Sequence, residues 1–394
     1  MTVLSLYLHI PFCQSRCRYC DFYSETGRES EGDRLIAAMC QEWDLIRREE
    51  LAGGRPDIES IYFGGGTPSL LKNRQIAPIL SRILKDTHWN QDLEITIEGN
   101  PESITKELAA GWRSQGINRV SLGVQSFDDN QLRRLGRIHT ARKAMESIEI
   151  LKSSGFHRLS IDLLFGIDPE SSQSYRNSLE CACRIDPGHL SCYLLTIEKG
   201  TPLQRLVDSG EWRLADDEIS ADDFEWTRST LSERGYEPYE ISNFARNGQR
   251  SIHNERYWRR EPYIGLGPGA HSFLKNRRMN NHPHLGLYLD SLLQHHQRPI
   301  AELKQLTQRQ ITEEEIFLGL RRKEGIHWRR FAGGLPSECR MAMEEKIEAM
   351  VRGGFLHREQ GRVALAEKAI FISNAVIVEL IHVLDEGLRE PASV

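Results

Sequence analysis

The sequence predicts an α/β protein, a partial (β/α)6 TIM-like barrel followed by a small C-terminal helical, winged-helix-like domain. Three observations predict it. Short β-rich runs alternate with longer amphipathic stretches through the first half of the chain. The chemically distinctive residues gather at or just after the ends of those runs. The alternation then stops near Glu198. Alternation at this spacing implies parallel strands joined by right-handed crossovers. Such folds carry their sites beyond the C-terminal ends of the strands. Six such units suggest an incomplete barrel, although spacing alone does not separate a barrel from a flat sheet.

The expected strands are Leu4–Ile10, Ile58–Phe63, Leu93–Glu98, Arg119–Val124, Leu159–Phe165 and Leu190–Leu195. Between them, Gly32–Leu51, Arg74–Leu84, Lys106–Ser114, Ala141–Ser154 and Ser174–Arg184 read as amphipathic helices. Beyond Glu198, Ala215–Arg234 reads as helix and Tyr236–Phe244 as extended chain. His253-Asn254-Glu255-Arg256-Tyr257-Trp258 follows, then Gly265-Leu266-Gly267-Pro268-Gly269-Ala270-His271, whose glycines and proline predict a loop. From about Gln308 the order is helix, helix, short hairpin, helix. Met341–Arg352 ends at Gly353-Gly354, Phe355–Leu365 turns at Gln360-Gly361, and Ser373–Leu384 forms the last helix. Glu390–Val394 is expected to fray. The domains divide as 1–235, 236–305 and 306–394.

Of 394 residues, 39% are hydrophobic and 27% charged, so the chain is expected to fold rather than stay disordered. A net charge of -5 argues against bulk electrostatic binding to nucleic acid or anionic membrane. In the C-terminal module, Arg321, Arg322, Arg329 and Arg330 are balanced by Glu313, Glu314, Glu315 and Glu324, leaving no basic stripe for nucleic acid. No apolar run approaches the roughly 20 residues of a membrane helix. Met1–Pro11 lacks a basic leader followed by an apolar stretch, and a cytoplasmic location is expected.

Three of the eight cysteines, Cys13, Cys17 and Cys20, crowd one short loop after the first strand. In a reducing compartment such a group points to metal rather than disulfides. An iron–sulfur cube takes about one cysteine per iron, so three leave one iron open to an outside ligand. A structural zinc site takes four ligands, usually in two separated pairs. No second pair follows, and His9 would complete a tetrahedron only if its strand folded back sharply. Cys40, Cys181, Cys183, Cys192 and Cys339 are scattered and read as small buried apolar side chains.

The Cys-x3-Cys-x2-Cys loop after a first strand resembles the radical S-adenosylmethionine superfamily. Tyr7-Leu8-His9-Ile10-Pro11-Phe12-Cys13, Gly64-Gly65-Gly66-Thr67-Pro68 and Gly123-Val124-Gln125-Ser126-Phe127 resemble, more narrowly, the oxygen-independent coproporphyrinogen oxidase family. The resemblance implies a 4Fe-4S cluster on Cys13, Cys17 and Cys20, with S-adenosylmethionine held by Tyr7, Gly65, Gly66, Thr67, Glu98, Gln125, Arg137 and Asp162. A zwitterionic, hydroxyl-rich ligand needs carboxylate, amide and guanidinium partners of this kind.

That family holds two classes of protein, a redox enzyme that decarboxylates coproporphyrinogen and a heme chaperone that passes heme to client proteins. The oxidases carry a further cysteine just after the triplet and extend the chain before the first strand. Here Asp21 and Phe22 follow Cys20, and the first strand begins almost at Met1. His253-Asn254-Glu255-Arg256-Tyr257-Trp258 resembles the His-Asn-x-x-Tyr-Trp motif of the chaperone branch. A neutral imidazole is a suitable axial ligand for heme iron. Tyr257 and Trp258 offer flat apolar surface, and Arg256 or Arg259 a partner for a propionate. Read without the resemblance, the same segment is equally a hydrogen-bonded loop packed on the barrel. His253 ranks first as heme ligand, ahead of His271, His282 and His284. The resemblance therefore implies heme and apo-hemoprotein clients as partners, with a homodimer and peripheral membrane contact through a client attached to the same expectation. It assigns no catalytic residue, and coproporphyrinogen oxidase activity is not expected.

Overall fold

Six parallel strands lie side by side in the order in which the chain makes them. The computed structural model describes residues 3–51 and 54–387; the expectation for Glu390–Val394 lies outside the described residues. The strands are β1 (Val3–Ile10), β2 (Asp57–Gly65), β3 (Glu94–Gly99), β4 (Arg119–Gln125), β5 (Arg158–Phe165) and β6 (His189–Leu194). Every neighbouring pair is parallel. The crossovers are α1 (Gly32–Glu49), α2 (Asn73–Asp86), α3 (Lys106–Ser114), the pair α4 (Asp129–Leu135) and α5 (Ala141–Ser153), and α6 (Ser172–Ile185). This is the partial (β/α)6 barrel. It does not close, because the free side of β1 pairs in parallel with β7 (Tyr263–Leu266). The antiparallel strands β8 (His271–Leu274) and β9 (Arg277–Asn281) continue the sheet beyond it.

Strand β7 was not expected. Tyr263-Ile264-Gly265-Leu266 is too short and too glycine-rich to declare itself. It is a strand because Ser5–Leu8 offers an unpaired edge, a long-range cause that a local pattern does not contain. The segment foreseen as extended at Tyr236–Phe244 contains only Glu237–Pro238 and the start of Asn243–Ala245 as strand.

Side-chain caps mark several helix starts. Thr105 Oγ1 accepts from Leu108 N, Thr140 Oγ1 from Lys143 N, and Asp128 Oδ1 from Asn130 N. The helices bury one apolar face, as Leu35, Met39, Trp43 and Ile46 do along α1. Along the strands, alternate residues divide into two sets. Leu4, Leu6 and Leu8, with Ile61, Phe63, Ile95 and Ile97, are buried apolar residues. The intervening set is polar and bonded across strands. Ser60 Oγ donates to Ser5 Oγ (2.7 Å), the Tyr62 hydroxyl to Glu98 (2.7 Å) and Ser121 Oγ to Asp162 (3.3 Å). The barrel is therefore packed with apolar side chains on one face and hydrogen-bonded on the other, which is why β1 reads Val-Leu-Ser-Leu-Tyr-Leu-His-Ile.

The chain divides into two compact units. The first comprises the chain up to Glu237, Phe244–His253 and Pro262–Leu303. The second comprises Pro238–Asn243, Asn254–Glu261 and the chain from Lys304 on. In the second, helices Gln308–Gly319, Trp328–Ala332, Ser337–Arg352 and Ser373–Gly387 pack with a three-stranded antiparallel sheet. Ile316, Leu320, Trp328, Phe331, Met343, Ile347 and Leu380 form its core. Arg260 pairs with Glu314 and Arg322 with Glu324, so these charges are used within the unit.

Candidate cluster and cofactor site

The cysteine loop leaves β1 at Pro11. Phe12 and Cys13 pair in parallel with Glu25 and Thr26, which closes Gln14–Ser24 into a loop at the C-terminal end of the strand. Leu135 C=O accepts from Arg18 N (3.1 Å), and Leu203 N donates to Arg18 C=O (2.7 Å). These bonds tie the loop to the ends of α4 and α7 (Pro202–Asp208). Cys13 is buried, while Cys17 and Cys20 are half-buried. Burial raises the Cys13 thiol and pushes Cys20 up to about 11, and each thiol is raised further by its cysteine neighbours.

Among the described residues, no three His, Cys, Asp or Glu side chains converge as ligands of a single metal ion. A four-iron cube is a different fit, with each thiolate on its own iron. Gly66 lets the backbone pack directly against the start of this loop. A methyl carbon there would lie 2.7 Å from the Phe12 carbonyl oxygen and 3.0 Å from Cys13 Sγ. The donor set and this glycine floor fit the cluster that the resemblance implies.

Glycines at the end of β2 serve the same purpose. A Cβ on Gly64 would meet Tyr7 and Tyr62, and one on Gly65, at φ 113°, would meet the His9 ring at 2.7 Å. Gly65 N donates to Glu98 Oε2 (3.1 Å), whose other oxygen takes the Tyr62 hydroxyl. Burial pushes Glu98 up to about 7 despite these two donors. A cationic amine placed beside it would restore the carboxylate. Tyr7 donates to His9 Nδ1 (3.1 Å), because His9 Nε2 spends its proton on the Tyr23 carbonyl (2.9 Å). Burial also lowers His9, which keeps the ring neutral.

Thr67 Oγ1 lies 3.4 Å from Cys13 Sγ. Arg137 follows α4 and reaches Cys17 Sγ (3.3 Å), Asn100 Oδ1 (2.7 Å) and the Gly123 carbonyl (2.7 Å). Gln125 ends β4 at φ 68°, in the left-handed region where side chains are strained. Asp162 sits deeper, within β5, and accepts from Ser121 and Ser160; burial raises its carboxyl. Thr67 and Arg137 thus contact the cysteine loop directly, Tyr7 and Glu98 meet at Gly64, Gln125 lies with Arg137 beside Gly123, and Asp162 stands within β5.

His253 is elsewhere. Its segment is a helix, Ile252–Trp258, rather than a loop, and its ring is only 1% exposed. Nδ1 bonds Ser60 Oγ (2.8 Å), the ring stacks on Tyr62 at 4.8 Å, and the backbone N–H donates to Glu94. Ser60 and Glu94 lie toward the N-terminal ends of their strands, so this imidazole enters from the floor side of the barrel, where its ring also stacks on Tyr7 at 6.3 Å. Arg256, foreseen as a propionate partner, pairs with Glu261 (3.0 Å), and Arg259 with Glu255 (3.2 Å). His271 is exposed at the start of β8. Sequence reasoning gave no role to Asn100, Tyr62 or His139 and weighed His9 only as a zinc ligand. For Asn100 the signal was present, since it stands between Gly99 and Pro101 directly after Glu98.

The model of the Radical SAM superfamily matches residues 7–182, and that of the HemN C-terminal domain matches residues 306–372. The chain is 32% identical to the heme chaperone HemW of Bacillus subtilis over 94% of this chain and 97% of that protein. It is 33% identical to HemW of Mycobacterium tuberculosis over 95% and 94%, respectively. Identity to the bovine mitochondrial radical S-adenosyl methionine domain-containing protein 1 is 31%, over 99% of this chain and 90% of that protein. Among solved structures, coproporphyrinogen III oxidase (HemN) from Escherichia coli matches with a TM-score of 0.81 at 19% identity, covering 96% of this chain and 90% of that one. At that identity the likeness speaks for the fold alone. Near-complete coverage at about a third identity, together with the barrel and its cysteine loop, places this chain in the HemW family of heme chaperones within the radical S-adenosylmethionine superfamily.

Proposed function

We propose that the protein binds heme and delivers it to apo-hemoproteins, carrying a 4Fe-4S cluster and S-adenosylmethionine in its barrel. One observation carries the choice of chaperone over oxidase. Cys20 is followed by Asp21 and Phe22, both exposed, Phe22 at 63%, where the oxidases carry a further thiol. The extended similarity to HemW proteins supports the same reading.

In this reading Cys13, Cys17 and Cys20 hold the cluster. Tyr7, Gly65, Gly66, Thr67, Glu98, Gln125, Arg137 and Asp162 hold S-adenosylmethionine. When bound, the pair supplies one-electron cleavage of a carbon–sulfur bond. The chain's own residues then have separate tasks. Gly65 and Gly66 let the ligand approach the backbone, Glu98 balances an ammonium, and Arg137 a carboxylate. His253 is the proposed heme ligand, and its imidazole, held at Nδ1 by Ser60 Oγ, would supply an axial nitrogen to the iron. A cytoplasmic location, a homodimer and membrane contact through a client belong to the same proposal. Among the described residues, no helix is long and apolar enough to cross a membrane.

The test uses anaerobically reconstituted protein. Heme addition should shift the Soret band, and heme should pass to an apo-hemoprotein. Coproporphyrinogen with S-adenosylmethionine and reductant should give no decarboxylated product. Formation of that product would overturn the chaperone reading and leave the cluster reading standing.

A further inference from the structure

Asn100 is not among the cluster or cofactor residues named above, yet its side chain joins them. Its backbone is fixed first. Asn100 N donates to Ser69 Oγ (3.3 Å), and its carbonyl accepts from Ser103 N (3.0 Å) and Ser103 Oγ (2.7 Å). The side-chain amide then has one workable orientation. Its oxygen accepts from Arg137 Nη2 (2.7 Å) and its nitrogen donates to Thr67 Oγ1 (3.0 Å). Turning the amide over would set NH2 against a guanidinium, donor against donor.

This orientation fixes the partners' own hydrogens. Thr67 Oγ1 accepts from Asn100, so its single proton is directed at Cys13 Sγ, 3.4 Å away. Arg137 spends Nη2 on Asn100 and the Gly123 carbonyl, which aims Nη1 at Cys17 Sγ, 3.3 Å away. A continuous chain of hydrogen bonds thus runs from Cys13 through Thr67, Asn100 and Arg137 to Cys17. The space is tight, since a Cβ on Gly123 would lie 3.0 Å from Asn100 Oδ1.

We propose that Asn100 is a positioning residue that holds an O–H donor on Cys13 and a guanidinium on Cys17, and so sets the reduction potential of the cluster on those sulfurs. The inference rests on the cluster reading of the three cysteines. Hydrogen bonds and positive charge at ligand sulfur withdraw electron density and favour the reduced cluster. Asn100 touches neither sulfur and acts through Thr67 and Arg137.

The experiment compares wild-type, Asn100→Ala, Asn100→Asp, Thr67→Val and the Asn100→Ala/Thr67→Val double variant. Each is reconstituted anaerobically, assayed for iron and sulfide, and titrated redox-potentiometrically by EPR without S-adenosylmethionine. Asn100→Ala should lower the reduction equilibrium constant about tenfold, a shift of about 59 mV for one electron, and change the EPR line shape. Asn100→Asp keeps an acceptor for Arg137 but adds a negative charge and takes the Thr67 proton away from Cys13, and should lower the potential at least as far as Asn100→Ala. The double variant should shift no further than Asn100→Ala alone. Potential and line shape identical to wild-type in Asn100→Ala would overturn the proposal, as would full additivity in the double variant. Should the alanine variant fail to fold, Asn100→Asp and Thr67→Val decide by the same readouts, and a wild-type potential in both overturns it. Wild-type protein lacking iron and sulfide would instead refute the cluster reading itself.

Discussion

His139 Nε2 donates to the Val124 carbonyl across 3.1 Å, and the same carbonyl accepts Ser126 N–H across 2.8 Å. The second bond closes a γ-turn around Gln125 at φ 68°. A residue so placed costs about 1 kcal/mol or more and persists where its surroundings enforce it. The buried His139 ring is such a surrounding, with Glu102 3.3 Å from its Nδ1.

The first prediction follows from that turn. Replacing His139 with alanine should weaken S-adenosylmethionine binding at least tenfold by calorimetry on reconstituted protein, although the ring reaches Gln125 only through the backbone. Gln125→Gly should weaken binding too, while leaving stability within about 1 kcal/mol, because glycine adopts positive φ without strain. Unchanged affinity in His139→Ala would mean that the turn holds itself.

Two glycine-to-alanine changes should have opposite signs. At Gly66 a methyl would meet the Phe12 carbonyl and Cys13 Sγ within 3.0 Å, so Gly66→Ala should abolish iron incorporation. Gly286, in the helix Leu285–Leu293, has nothing within 4 Å of an added Cβ. Gly286→Ala should raise stability by roughly 0.5–1 kcal/mol and leave iron content unchanged. Iron content at wild-type level in Gly66→Ala would show that the cluster does not sit on that floor.

Much of this site was legible because its residues are chained to short, recognisable strings. Cys13, Cys17 and Cys20 share one loop, and Gly64-Gly65-Gly66-Thr67 ends a strand that the pattern of Ile58–Phe63 announces. The barrel itself was legible because strand and helix periods alternate without interruption. What escaped depends on contacts between distant segments. β7 is a strand only because β1 has an edge to offer. His253 looks like a ligand beside Tyr257 and Trp258, yet its ring stacks on Tyr62, almost two hundred residues earlier in the chain. Asn100 looks like a turn residue before proline, and its role depends on where Thr67 and Arg137 arrive.

A pH dependence follows from Glu42 on α1. Its carboxylate is fully buried, takes the Tyr288 hydroxyl (2.6 Å), Gly267 N–H (3.0 Å) and Asn281 Nδ2, and burial pushes it up to about 7. An acid whose folded pKa lies above its unfolded value stabilises the fold most below the unfolded pKa, near 4.5. That contribution is lost as pH rises through 7. Glu42→Gln removes the titration. The stability gap between wild-type and variant should therefore shrink by about 3 kcal/mol from pH 4.5 to pH 8, read from denaturant midpoints of the apo-protein. A gap constant across that range would show that Glu42 does not titrate on folding.

His253 allows packing and heme ligation to be separated. Removing its ring takes away a buried stacking partner of Tyr62 and leaves Ser60 Oγ without its imidazole. His253→Ala should therefore cost about 2–4 kcal/mol. Heme titrations must then be run well below both melting transitions, so that folding does not masquerade as affinity. Under those conditions the variant should show a weakened Soret shift, and added imidazole should restore the band by occupying both the cavity and the iron. A Soret shift as strong as wild-type, in a variant that is measurably less stable, would confine His253 to packing the barrel floor. The search for the iron ligand would then move to the more accessible His271, His282 and His284.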